Sequence, residues 1–226
     1  MEENGFNYLI TLIPLVLGWL LGVLSSLTTE KIKKYSTKNE VKKGIKTELS
    51  ELQIHLSSVC LVTTCQYGEF TRGFFNWVKP YCIKIFTSEK THFENILGAE
   101  IPDISELSDD DLFNLIRDSH GNNNLETRLS AFTYQNVSTP YLDIKINHIS
   151  LFTEKAQKLL ITIKRDTNFV NNDIEQIWFY YSKTFDNITE ENHRIINQNL
   201  ENMYLRIGRR TRTMVNKINE LFKEIN

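Results

Sequence analysis

The side chains able to do chemistry are scattered along this chain. His55, His92, His120, His148 and His193 stand at no telling spacing from a cysteine, a serine or a paired carboxylate. Cys60, Cys65 and Cys82 are odd in number and match no disulfide framework. Cys60 and Cys65 are five positions apart, which on a helix turns them about 140° from each other. His55 and His92 add donors, but no CxxC or HxxxH spacing exists to build a zinc site. The thiols therefore read as small apolar core residues. Asp109, Asp110 and Asp111 invite a Mg²⁺ or Ca²⁺ site, yet consecutive carboxylates on a helix fan out by about 100° each, and the later glutamate of an EF-hand is absent. Behind Ser108 they read better as a capped helix start, three negative charges at the positive end of the helix dipole.

No P-loop, GxSxG, HExxH or dinucleotide-binding glycine turn occurs. The expectation is a protein that is not an enzyme and carries no cofactor or metal. One cluster retains binding chemistry: Arg206, Arg209, Arg210 and Arg212 around Gly208. Guanidinium forks hold phosphate or carboxylate bidentately, so a nucleotide, a lipid headgroup or an acidic partner helix are candidate ligands. The ordinary alternative is a set of ion pairs within the fold.

Charge and hydropathy say where such a patch would sit. From Gly5 to Thr29 there is no charged residue, and Tyr8–Leu27 supplies twenty mostly apolar positions. A hydrocarbon core of roughly 30 Å needs about that many helical residues. Thr11, Ser25 and Ser26 can bond to the carbonyl one turn back, and Pro14 is tolerated as a mild kink. Residues 8–27 are expected to form a transmembrane helix, and 1–7 a short external N-terminus. A cleaved signal is disfavoured because Met1, Glu2, Glu3 and Asn4 give no basic leader. Lys31, Lys33, Lys34, Lys38, Lys42, Lys43 and Lys46 follow the span and none precedes it. The lysine-flanked side of a span faces the cytoplasm. The expected localisation is the inner (plasma) membrane, with the N-terminus outside and the C-terminal domain inside. The same lysines form a collar attracted to anionic lipid headgroups. Residues 47–226 carry a net charge of −5, which argues against general nucleic-acid binding.

The elements that would position these residues read as helix throughout, so the expected fold is all-α: one N-terminal transmembrane helix continuing into a stalk, then an antiparallel helical bundle. Val41, Ile45, Leu49, Leu52, Leu56 and Val59 recur at steps of three and four, a single buried stripe. Residues 28–66 are expected to be a basic juxtamembrane region and stalk, with a break near Ser36–Asn39, and 67–226 the helical domain. Between Gln66 and Pro80 the pattern lapses into an aromatic-rich loop or short helix. Short helices are expected from Ser88 to Gly98, after Ser108, and over 125–135 beyond a turn at Gly121–Asn124. A long pattern runs over 142–185, with the polar stretch Asp166–Asp173 expected to divide it. Another runs from a cap at Thr189 to Ile225, its stripe carried by Met214, Val215, Ile218, Leu221, Phe222 and Ile225.

Gly18, Gly22 and Ser26 put three small residues on one face of the span, suited to close helix–helix approach and a homo-oligomer. The leading expectation is a structural protein: a single-pass anchor presenting a helical bundle to an unidentified protein partner. The alternative is a membrane effector whose span oligomerises and disrupts the bilayer on a cytoplasmic signal. In plan this layout resembles one-span effectors of bacterial anti-phage systems, without a shared motif, and the abundance of Asn, Ile and Lys is compatible with a bacterial source.

Overall fold

The computed structural model describes residues 3–88, 103–119, 136–187 and 189–226, with side chains from residue 16 onward except those of 88, 105 and 119. Among these residues every regular element is helical. The helices expected over 88–98 and 125–135, and the turn at 121–124, lie outside the described residues.

The first helix, α1 (Glu3–Tyr67), runs 65 residues without interruption, about 98 Å at 1.5 Å per residue. The break expected near Ser36–Asn39 does not occur, since nothing in that stretch removes a backbone donor. Its two halves differ in surroundings. Residues 16–36 are all exposed, whereas Val41, Ile45, Leu49, Leu52, Leu56 and Val59 are all buried. The stripe read from the sequence is thus the inner face of α1, and the segment expected as a stalk enters the bundle from Val41 onward. Among the described residues no helix is long and apolar enough to cross a membrane. Residues 8–15 of the expected span lie outside those with described side chains.

The last helix, α6 (Glu190–Ile225), starts where the sequence places it: the Thr189 hydroxyl accepts from the Asn192 amide. Met214, Val215, Ile218, Leu221 and Ile225 are buried. It lies antiparallel to α1. Gln53 Nε2 donates to Asn219 Oδ1 at 2.7 Å, Cys60 Sγ to the Gly208 carbonyl at 3.3 Å, and the Tyr67 and Tyr204 rings stack at 4.6 Å. On its other side α6 takes α5 (Glu154–Lys183), capped by Thr153 and running antiparallel in turn. Thr153 Oγ1 bonds Glu224 Oε1 at 2.8 Å near one end, and Arg206 meets Asp173 further along.

The polar stretch 166–173 does not divide α5. Asp166 and Asp173 are seven residues apart, two turns, on the stripe that also holds Ile163, Val170, Ile174 and Ile177. They face basic residues on α6 and so stay inside the helix. The interruption falls earlier, where α4 (Pro140–Lys145) passes into a 3₁₀ stretch (Ile146–Leu151) before Thr153. Pro140 opens α4, and Glu48 of α1 accepts its first-turn amides, Tyr141 N at 2.6 Å and Leu142 N at 2.9 Å. The Tyr141 ring lies against Gly44, where a Cβ would collide with it.

A second apolar cluster covers the C-terminal end of α1. The aromatic segment is a full helix, α2 (Arg72–Ser88), running through Pro80. An internal proline costs about 3 kcal/mol. Burial of Phe75, Val78 and Ile85, each contributing roughly 1.5–3 kcal/mol, offsets it. Cys60, Cys65 and Cys82 sit in this cluster with Leu112 and Ile116 of α3 (Asp109–Ser119).

Candidate functional site

Two regions of surface stand out from this frame. The first is the part of α1 outside the bundle. Val16, Leu17, Trp19, Leu20, Leu21, Val23, Leu24 and Leu27 are all exposed, Trp19 at 67%. Soluble monomers rarely leave a contiguous apolar surface of more than a few hundred Å² uncovered. A Cβ at Gly18 or Gly22 would meet nothing within 4 Å, so that face is open in the single chain. The lysine collar divides in two. Lys31, Lys33 and Lys34 stand exposed on the free length of helix and Lys38 is half-buried. Lys42 and Lys46 reach Asn226, which caps the C-terminal end of α6, Lys42 Nζ bonding its carbonyl at 3.4 Å and Lys46 its side-chain oxygen. Lys43 points to solvent.

The second region is the arginine cluster on α6. The structure separates its four members. Arg206 Nη2 is 2.7 Å from Asp173 Oδ1, and Arg210 Nε is 3.1 Å from Oδ2, so one carboxylate with 5% side-chain exposure holds both. Arg206 also donates to Gln176 Oε1 at 2.8 Å, and Arg210 stands 5.1 Å from the Phe169 ring centre. Two turns further along, Lys217 pairs with the buried Asp166, which Arg165 approaches at 3.4 Å. For Arg206 and Arg210 the reading as ion pairs within the fold is therefore the geometry found. Arg212 turns the other way, its guanidinium 5.0 Å from Trp77 and 5.4 Å from Phe74. Arg209 lies on the ridge between the two flanks and meets no carboxylate among the described residues.

The remaining reactive side chains serve the fold. Asp109 pairs with Lys79 and Asp110 with Arg72, while Ser108 Oγ donates to Asp111 Oδ2 at 2.6 Å and accepts from its amide. The three carboxylates thus diverge to three partners. Among the described residues no cluster of His, Cys, Asp and Glu is arranged to hold a metal. Burial pushes the Cys60 thiol up to about 11, with Thr64 and the Arg212 charge pulling weakly the other way. It pushes Cys82 up to about 12. Cys65 is raised further by burial and by its neighbouring thiols. Protonated at neutral pH, they are inert as nucleophiles.

Asp166, Asp173 and Glu48 are the residues that sequence reading passed over. For the two aspartates a signal existed, since their seven-residue spacing continues the apolar stripe of α5. The chain matches no protein-family model, no curated protein and no solved structure.

Proposed function

We propose that this chain is a single-pass membrane-anchored interaction protein. Residues 8–27 cross the bilayer with the N-terminus outside. Lys31, Lys33, Lys34 and Lys38 lie at the anionic inner surface, and the bundle from Val41 onward is presented in the cytoplasm to a partner protein. The observation that carries this reading is the length of α1 standing clear of the bundle with its apolar side chains uncovered, ahead of a lysine collar with no counterpart before it. Lipid is the solvent that such a surface fits, and the positive-inside rule sets its direction. The face of Gly18, Gly22 and Ser26 supports pairing of two spans.

Alkaline carbonate extraction of membranes tests the anchor, with single cysteines at Glu3 and Asn226 in a cysteine-free background testing its direction. The expected result is retention in the pellet, with an impermeant maleimide labelling position 3 but not 226 in intact cells. Release into the supernatant would refute the anchor.

A second reading, the membrane effector, draws support from one feature: α1 has no joint between arm and bundle, so a change in the bundle is passed mechanically to the span. Expression of the full chain and of a form lacking residues 8–27 separates the two. Dye entry or growth arrest with the full chain alone favours the effector, and no effect from either favours the scaffold.

A further inference from the structure

Where α1 ends, its last two turns, the start of α2 and the middle of α6 enclose a cavity of about 220 Å³, lined by Thr64, Thr71, Phe74, Gly208, Arg209 and Arg212 among others. We propose that this cavity binds the phosphate group of a small soluble phosphate monoester, with Arg209 and Arg212 as its charged ligands. Phosphate binding at this cavity does not depend on the membrane anchor, whereas the soluble source of the phosphate rests on that reading.

The argument begins with charge. Of the four clustered arginines, Arg206 and Arg210 share the single carboxylate of Asp173, which balances one of their two charges. Arg209 stands between this cavity and a neighbouring one, which it lines with Arg206, Arg210, Asp166 and Phe169. Arg209 and Arg212 have no carboxylate partner among the described residues. The aromatic contacts of Arg212 occupy the face of its guanidinium and leave the in-plane N–H groups able to bond an oxyanion. Glu69 lies at the rim without pairing either arginine, which leaves the cavity at net +1.

Hydroxyl donors complete the set. Thr71 Oγ1 accepts from the Phe74 amide at 3.2 Å, which leaves its O–H free to donate into the cavity. Thr71 also heads α2, whose first turn holds no acidic residue, so the positive end of that helix is uncompensated by its own side chains. Two guanidinium groups from α6 and a hydroxyl at the head of α2 line one cavity, a donor set suited to the several oxygens of a phosphate dianion.

Size and position narrow the ligand. Pockets that enclose a whole drug-sized molecule run to about 300–1,000 Å³. At about 220 Å³ this cavity has room for a phosphate and a few adjoining atoms. The cavity lies about 45 Å along α1 from Thr29, counted at 1.5 Å per residue from there to Cys60. Headgroups of a bilayer that holds residues 8–27 are out of its reach, so the phosphate comes from solution.

The test uses full-length protein in nanodiscs, titrated with inorganic phosphate by calorimetry. Saturable binding is expected, weakened at least tenfold in both Arg209→Ala and Arg209→Gln, with the melting temperature of the unliganded variants unchanged. Glu69→Gln is expected to tighten binding about threefold. Absence of saturable binding, or equal binding by wild type and both Arg209 variants, would overturn the proposal. So would loss of phosphate binding when neutral nanodiscs are replaced by anionic ones, because that result would hand the site to a lipid headgroup.

Discussion

Replacing Gly208 with alanine tests the closest approach in the bundle. A Cβ at position 208 would collide with Thr63 Oγ1 and stand 3.2 Å from Thr63 Cβ. Thr63 is buried, and its hydroxyl donates to the Val59 carbonyl at 2.8 Å. It cannot turn away without giving up that bond, and its Cβ cannot move without α1. Overpacking of this kind costs about 1–3 kcal/mol, while alanine recovers up to about 1 kcal/mol of helix propensity relative to glycine. With the full propensity gain the net loss is up to about 2 kcal/mol. For a chain of this size each kcal/mol moves the melting temperature by about 2–4 °C, so thermal unfolding followed by circular dichroism in detergent resolves the effect. Thr63→Ala in the same chain removes the colliding oxygen, and the double variant is expected to recover most of the loss. Wild-type stability in Gly208→Ala, with no coupling to position 63, would mean that α1 and α6 do not cross at this spacing.

Other consequences can be checked on the same preparation. Asp173→Ala leaves Arg206 and Arg210 without a counter-charge; because both are partly exposed and can turn to water, the loss expected is about 1–2 kcal/mol by urea titration rather than the 3–5 kcal/mol of a fully buried pair. Glu48→Ala strips two amides of α4 of their acceptor and is expected to cost about 1–3 kcal/mol, with hydrogen exchange at Tyr141 and Leu142 accelerated. The thiols stay protonated in the folded chain above the 9.0 at which they would otherwise ionise. Their contribution to stability is therefore complete below about pH 9 and is lost as pH climbs toward 11–12. The slope is up to about 1.4 kcal/mol per pH unit for each thiol, and Cys60→Ala with Cys82→Ala should reduce it to the share of Cys65.

Periodicity made the long elements legible. Val41 to Val59 and Met214 to Ile225 repeat every three to four residues, and both stripes are inner faces. Local capping chemistry placed helix starts at Ser108 and Thr189. Partnership across the bundle was not legible, because it depends on residues tens of positions apart. Asp166 and Asp173 look like a polar interruption until Lys217, Arg206 and Arg210 are brought opposite them. Pro80 likewise marks a loop by local rules, and only the burial of Phe75, Val78 and Ile85 against α1 keeps the helix running through it. The arginine cluster was visible as a cluster, but its division into a pair bonded to Asp173 and a pair without a carboxylate partner among the described residues needed the positions of α5 and α2.

Since the arm and the inner strut of the bundle are turns of one helix, the length of chain between Thr29 and Val41 acts as an angular setting. Adding or removing a single residue there would swing the azimuth of Gly18, Gly22 and Ser26 by about 100° relative to α6. Two copies joined through that small-residue face would then carry their bundles at a new mutual bearing. Seven added residues, close to two full turns, would nearly restore it. In such a pair the spacing of this segment would specify which flank of each bundle is turned toward its neighbour.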